Sequence, residues 1–546
     1  MDINRHNFVE NFSEIQTVIK ECDFIAFDTE LSGLTKDRLN GLFDTIDERY
    51  AKMKCNSMDF LLIQFGLSCF KKTQNENGKT SENDCCSTYD CWTYNFYIFP
   101  YKTNNSTRQK ERSFLVQSSA VAFLVSHGFD FNKLFAEGIN WLTIEEEKHF
   151  LESLENNFQI NDDEREPKGD IDIYSNSKYP TIPSEHKDFI NEALIKVNNF
   201  LRNDRQQTIH LSVSSPYQRK LLYEIFKASQ YNNSLDVSTS KNFRDRHMII
   251  NKITREEKEK QRKQLITETV GFSRIIQCIV ASRKPVVGHN LLLDLMHTVR
   301  QFLHPLPNTF SEFQAMIKDL FPNLFDTKFI ASFEKFKEMF QNTSLEEVHN
   351  VVKKEPFKPI EVKNVNLSGD TNSNCALHQA GYDSFITGYS FAVFTDYFKS
   401  EIETFKNKLP ITCIHDISHL SIDASNETPD RNHVFHVSFL SSWKTNDIIQ
   451  LFSAFGQVVI AWINDTSAFV ALKNVSKAVD AVKAFQQSKS SNFQVQTYAE
   501  FCASKSNGAI KRKEMQITSD NYVIDITPSK KIKSESRVES KEAETI

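Results

Sequence analysis

The chain has 546 residues, with 65 Lys and Arg against 71 Asp and Glu for a formal net charge of −6; that is too long for one hydrophobic core and implies about three to four structural units. The acidic balance excludes wrapping long nucleic acid by charge alone, since such binding rests on an excess of basic side chains, so any nucleic-acid site has to be local. No run reaches the ~18 apolar residues of a membrane span, the start MDINRHNF has no apolar signal region, and the 10 Cys show no paired C-x-x-C spacing, which reads as a soluble intracellular protein with reduced thiols and no membrane partner.

In chain order, Phe8, Phe12, Ile15 and Ile19 form the stripe of an amphipathic helix. The apolar run Phe24 to Phe27 then reads as a strand ending in Asp28-Thr29-Glu30. Two β-rich runs, 61–70 and 91–100, flank a polar stretch expected as a solvated hairpin extension, and a helix is expected over 113–126. Residues 1–170 make the first part of one domain, closed by a Pro/Gly-punctuated polar linker at 160–180. A small inserted unit covers 181–248. The mixed-charge run TREEKEKQRKQ after it reads as a solvated helix and not a binding site. The first domain resumes over 249–405, with helix, short strand, turn and helix around VVGHNLLLDLMHTVRQFL and a further helix near 378–398. A linker is expected at 406–432, a β-α-β-β-α-β unit at 433–503 and a disordered polar tail at 504–546.

Asp28 and Glu30 end a strand whose two-residue period points both carboxylates to one face, where they can share cations. Alone, D-x-E is a weak signal: Asp162 and Glu164 have the same spacing inside a polar linker. Asp294 lies in the first turn of an apolar helix for which Asn290 is the expected N-cap, and by itself it reads as an acid favoured by the helix dipole. His378 and Asp383 are five residues apart, about 140° around an ideal helix, so His378 is expected at the helix start, turning in separately.

The order of these residues, D-x-E on a first strand, Asp on a helix after a strand, then His-x4-Asp on a late helix, resembles the His-containing branch of the DEDD exonuclease superfamily. The segments FDTELSGL, SMDFLLIQFGL, GFDFNKLF, VVGHNLLLDLMHTV, FDTK and HQAGYDSFITG are similar to the poly(A)-specific ribonuclease family of deadenylases, through to about residue 503. The resemblance implies an α/β, RNase H-like nuclease core carrying an inserted small α/β single-strand-binding-type domain and a C-terminal RNA-recognition-motif-like (RRM-like) domain. It implies a 3′ to 5′ exoribonuclease that shortens poly(A) tails and releases 5′-AMP. Phosphodiester hydrolysis needs an acidified water and a neutralised leaving 3′ oxygen, and two hard cations roughly 3.5–4 Å apart serve both. By resemblance Asp28, Glu30, Asp294 and Asp383 hold two Mg²⁺ ions, and His378 is the general base.

Other roles follow from the same resemblance. Leu31, Leu34 and Lys328 are the expected RNA contacts, Leu31 standing where relatives carry Phe. The inserted domain's Arg-x-x-x-His signature is altered here, since Arg219 is followed four positions later by Tyr223. In the RRM-like unit, DTSAFVAL keeps only Phe469 of the three aromatics of the usual stacking platform, and Trp462 occupies the position that stacks on the 7-methylguanosine cap. The expected partners are polyadenylated RNA, the cap and a second copy in a homodimer. The basic clusters AIKRKE (509–514) and SKKIKS (529–534) fit a protein shared between nucleus and cytoplasm. A trimmer of small-RNA 3′ ends and a catalytically inactive RNA- or cap-binding scaffold are the alternatives; loss of a metal carboxylate would mark the scaffold, and none is lost.

Overall fold

A mixed sheet of seven strands organises the first part of the chain. Its strands are β1 (Asp2–Ile3), β2 (Phe24–Leu31), β3 (Leu62–Lys72), β4 (Thr88–Tyr97) and, beyond β5 (Thr208–Ser212), β6 (Leu235–Thr239) and β7 (His247–Lys252) of the insertion, β8 (Val286–Gly288), β9 (Leu324–Asp326) and β10 (Glu361–Asn364). The order is β4-β3-β2-β8-β9, antiparallel on the β3 and β4 side and parallel on the β8 and β9 side, with β1 and β10 both running parallel along β4. This is the RNase H-like arrangement. The computed structural model describes residues 1–37, 41–73, 87–101, 111–157, 181–203, 205–228, 231, 234–240, 247–366, 378–412, 414–426, 429–487 and 492–504. The expected hairpin tip, the 160–180 linker and nearly all of the tail lie outside them.

Strand β2 runs through the middle of the sheet, and its apolar half is buried on both faces, as its unbroken Phe24 to Phe27 requires. Alternation sends Ile25 and Phe27 into one core, with the Phe8–Glu21 helix and Leu295 and Met296, and sends Phe24 and Ala26 into the other, with Phe391 and Phe394 of the Ala380–Phe398 helix. The continuation of this alternation decides which helix each acidic residue meets.

The Ala380–Phe398 helix lies backbone-close on β3. Gly66 is the reason: a Cβ there would stand 1.7 Å from the Ala380 carbonyl oxygen. Further along, Gly388 leaves room for the Phe70 ring, and the Ser68 and Ser384 hydroxyls bond at 2.8 Å. Gln64 Oε1 accepts the Ala380 N–H at 3.1 Å, which fixes the start of the helix. Gly66 also faces Asp28 across the ladder, so the glycine that admits the helix sits opposite the first acidic residue.

The insertion has its own core. Helices Lys187–Arg202 and Pro216–Ala228 pack Ile190, Val197, Leu222 and Ile225 against Met248 and Ile250 of the sheet β5-β7-β6. Residues 406–432 are not a plain linker: β11 (Lys408–Pro410) and β12 (His419–Ser421) pair there, and Leu409, Leu420 and Ile422 join the main core. Their alternating apolar residues were hidden among polar ones. The first compact unit accordingly runs to Thr428.

The second unit, from Pro429, holds β13 (Val434–Phe439), β14 (Val458–Asn464), β15 (Ser467–Leu472) and β16 (Phe493–Thr497) in the order β14-β15-β13-β16, with helices Thr445–Leu451 and Ala478–Gln487. This is the RRM-like topology. Among the described residues, no helix is long and apolar enough to cross a membrane.

The close approach at Gly66 generates a prediction. Gly66→Ala should destabilise the chain by at least about 1–3 kcal/mol, because the obstacle is backbone that cannot rotate away. A denaturation midpoint equal to that of the wild type would contradict the packing described.

Candidate active site

Three carboxylates converge at the end of β2: one oxygen each of Asp28, Glu30 and Asp383 lies within 4.8 Å of the others. Asp28 and Glu30 continue the alternation of Phe24 and Ala26, and so face the Ala380–Phe398 helix. Asp383, fourth in that helix and buried, is delivered to them by the approach that Gly66 permits. A register shift between Glu30 and Leu31 ends the regular ladder just past the second acid, a common way to re-aim side chains beside a site.

Asp294 arrives from the other core. It is the third residue of the Leu292–Thr298 helix, and Thr29, which alternates to that side, donates its hydroxyl to the Asp294 carboxylate. Thr29 thus ties the fourth carboxylate to the strand that carries the first two. The charge of Asp294 still acts on both Asp28 and Glu30.

Burial is the leading cause that pushes all four carboxyls up, Asp294 and Asp383 to about 7. At Asp28 and Glu30, repulsion from Asp383 and Asp294 adds to burial. The Thr29 hydroxyl on Asp294 and the backbone N–H of His378 on Asp383 act in the opposite direction. Acids held together against mutual repulsion suit hard divalent cations, which take carboxylate oxygen and water.

The expected N-cap is corrected. Asn290 has left-handed backbone, φ 65°, and the cap position belongs to Leu291, whose side chain caps nothing. The buried carboxylate of Asp326 does the work instead, accepting the N–H groups of Asn290 at 3.1 Å, Leu291 at 2.8 Å, Lys328 at 2.9 Å and Phe329 at 3.2 Å. Burial raises Asp326 to about 6 even against those four donors. One side chain therefore fixes both the turn before Asp294 and the start of the Thr327–Ala331 helix, which carries Lys328. The sequence held a signal for it, an Asp immediately before a short helix, but the link to the Asn290 turn is purely tertiary.

His378 lies two residues before its helix at φ 66°. Its ring packs against Phe123 and His127 of the segment around the Ser118–Ser126 helix, with centroids 4.8 and 4.2 Å away, and is not one of the three clustered ligands. Burial and then His127 lower its pKa, which favours the neutral imidazole. His127 carried no sequence signal.

The expected RNA contacts differ in placement. Leu31 is a core residue, 7% exposed, and offers no face for an adenine; it packs the end of β2. Leu34 is 56% exposed, its N–H held by the Gln117 side chain at 3.0 Å. Lys328 is half-buried and close enough to His289 to help lower that residue's pKa. Trp462 stands on the edge strand β14, 38% exposed and edge-to-face with Phe439. Phe469, the retained platform aromatic, is covered by Tyr498 and Phe501 of the helical turn that follows β16.

The family model for CAF1 family ribonucleases matches residues 3–391. The chain belongs to the CAF1 ribonuclease family. A second model, for an RNA binding domain, matches residues 424–504. Poly(A)-specific ribonuclease PARN of Homo sapiens is 39% identical over 546 residues, spanning 94% of this chain and 82% of that protein. The Xenopus laevis protein of the same name is 38% identical over 542 residues, 93% of this chain and 82% of its own length. The pre-piRNA 3′-exonuclease trimmer of Bombyx mori is 28% identical over 405 residues, covering 72% of this chain and 70% of the trimmer. Divalent metal belongs to the chemistry of such CAF1 ribonucleases, and the converging carboxylates of Asp28, Glu30 and Asp383 fit it.

The raised carboxyls set a pH dependence for this CAF1 ribonuclease without metal. Folded Asp294 and Asp383 keep their protons up to about 7, whereas unfolded Asp releases them near its ordinary 3.8. Across that window the folded chain binds more protons than the unfolded one, so their contribution is full below the unfolded value and is lost as pH rises through the folded one. In EDTA the denaturation midpoint should therefore fall between about pH 5.5 and about pH 8, and divalent cation should restore it. A midpoint that rises over the same interval would contradict the assignment.

Proposed function

We propose that this chain is a poly(A)-specific 3′ to 5′ exoribonuclease that shortens the poly(A) tails of RNA and releases 5′-AMP. The observation that carries the reading is the convergence of Asp28, Glu30 and Asp383 at the end of β2, with Asp294 tied in through Thr29. In this reading Asp28, Glu30, Asp294 and Asp383 hold two Mg²⁺ ions. Bound there, the cations would supply charge neutralisation at the leaving 3′ oxygen and make the attacking water more acidic. His378, kept neutral by its surroundings, takes the proton from that water; Phe123 and His127 limit where its ring can stand. Leu34 meets the terminal bases and Lys328 meets a phosphate, while Leu31 packs the core at the end of β2.

The trimmer reading shares the same carboxylates. What favours the tail-shortening reading is similarity over nearly the whole chain to proteins named for it, together with the RNA binding domain that follows the nuclease region. The scaffold reading has no missing carboxylate to rest on.

In the RRM-like unit, Trp462 would stack on the methylated guanine of the cap, since it keeps an open face while the central platform is covered by the chain's own Phe501. A homodimer is supported by the exposed apolar residues Leu115, Val116, Phe123 and Val125 on one segment of the nuclease surface. Nuclear and cytoplasmic distribution rests on the basic clusters of the tail.

Oligo(A) shortening from the 3′ end in Mg²⁺, compared across variants, tests the catalytic assignments. Asp28→Ala, Glu30→Ala, Asp294→Ala and Asp383→Ala should each lower turnover by orders of magnitude with the fold retained, and near-normal activity would remove that residue from the cage. His378→Ala should lose about 10²- to 10⁴-fold while still binding metal; loss of metal affinity as well would show that it is not simply a base. Trp462→Ala should weaken binding of a cap analogue, whose cationic ring gains about 0.5–2 kcal/mol over an indole face, while leaving the rate on uncapped oligo(A) unchanged. Loss of cap binding that merely follows a lowered melting midpoint would overturn the stacking role.

A further inference from the structure

His378 has little to hold its ring. It stands two residues ahead of its helix in left-handed backbone, φ 66°, and its ring makes no hydrogen bond or ion pair among the described residues. A base that must meet an attacking water is ordinarily oriented by a third group bonded to it, and among the described residues none is present. What the half-buried ring has instead is two other rings: Phe123 edge-to-face with centroids 4.8 Å apart, and His127 edge-to-face at 4.2 Å.

These two rings are not equally fixed. The Ser118–Ser126 helix ends on His127 in a Schellman turn: Gly128 donates its N–H to the Val125 carbonyl at 3.1 Å, Phe129 donates to the Leu124 carbonyl at 3.0 Å, and Leu124 and Phe129 are both buried. Gly128 stands at φ 80°, which a residue without Cβ adopts freely. The His127 side chain is then tied back to its own helix. Its Nδ1 donates to the Phe123 carbonyl oxygen at 2.8 Å, and its ring lies against the Phe123 ring with centroids 4.3 Å apart. A carbonyl oxygen only accepts, so this bond places the proton of neutral His127 on Nδ1. Phe123 is 44% exposed, whereas His127 is half-buried, nearer to His378, and anchored at both backbone and ring.

We infer that His127 is the positioning residue of the nuclease centre: held by the Schellman turn and by its bond to the Phe123 carbonyl, its ring fixes the orientation in which His378 meets the attacking water. The inference rests on the reading of His378 as the base, and it gives His127 no contact of its own with RNA, cation or water. It acts through His378 alone.

The test is a double-mutant cycle on the full chain, with oligo(A) turnover in Mg²⁺ and a melting midpoint measured for every variant. His127→Ala should lower kcat by about 10- to 100-fold with KM unchanged, the scale of loss when a reacting group is misplaced. In the His378→Ala background the same change should cost less than about twofold, because the group it orients is gone. His127→Phe keeps a flat ring and should recover most of the rate. His127→Asn, whose amide reaches the Phe123 carbonyl but offers no ring, should not. An equal loss in both backgrounds, or a raised KM with kcat intact, would overturn the inference. Nuclear magnetic resonance of the ¹³C-histidine-labelled chain gives a readout independent of turnover, the His378 signal being assigned by its loss in His378→Ala. The order parameter of the His378 Cε1–H bond should fall in His127→Ala and return in His127→Phe; a value unchanged in a folded His127→Ala chain would also overturn the inference. A wild-type chain that shortens no oligo(A), while that order parameter still depends on His127, would sink the nuclease reading and leave the restraint standing.

Discussion

Mutual repulsion among clustered carboxylates, Asp383 buried and the other three half-buried, is the constraint on which the rest of this structure depends. Four acids near one another in a poorly hydrated site oppose their own assembly, and each must be held by something that does not yield. Three separate elements deliver them: β2 brings Asp28 and Glu30, the Ala380–Phe398 helix brings Asp383, and the Leu292–Thr298 helix brings Asp294. The holding is done mainly by backbone contacts, which are stiffer than side-chain packing. Gly66 lets one helix lie against β3, and the buried carboxylate of Asp326 gathers four N–H groups at the root of the other. Some of the cost of assembly is deferred, since carboxyls raised to about 7 can remain protonated until a cation displaces the proton.

The two faces of β2 have different tasks because the strand alternates. One side meets the helix that closes the site, and the other, through Thr29, anchors the acid that comes from across the sheet. In the second unit, the face on which an RRM-like sheet ordinarily stacks bases is occupied by Tyr498 and Phe501, so exposed aromatic surface shifts to Trp462 on the edge strand.

Much of this was legible in the sequence where the signal was local. The stripe from Phe8 to Ile19, the strand ending in Asp-x-Glu and the β-α-β-β-α-β pattern depend on neighbours a few residues apart, and the structure holds each as an element. Periodicity said nothing of contacts made across the fold. Asn290 looked like a cap because its neighbours are apolar, yet the capping group comes from Asp326, 36 residues away at the Asn290 N–H. Leu31 suggests a contact by its place in a motif, while alternation along β2 puts it on the same face as Ile25 and Phe27, where it packs into the core. The strands at 408–410 and 419–421 were too short and too polar in their surroundings to stand out.

The central claim is that these carboxylates hold protons only until divalent cation replaces them. Calorimetric titration of the metal-free chain with Mg²⁺ near neutral pH, repeated in buffers of different ionisation enthalpy, measures the protons released per cation bound. The account predicts net proton release that diminishes in Asp294→Asn and Asp383→Asn, the two acids raised to about 7. Cation binding with no proton release, or release unchanged in both variants, would contradict it.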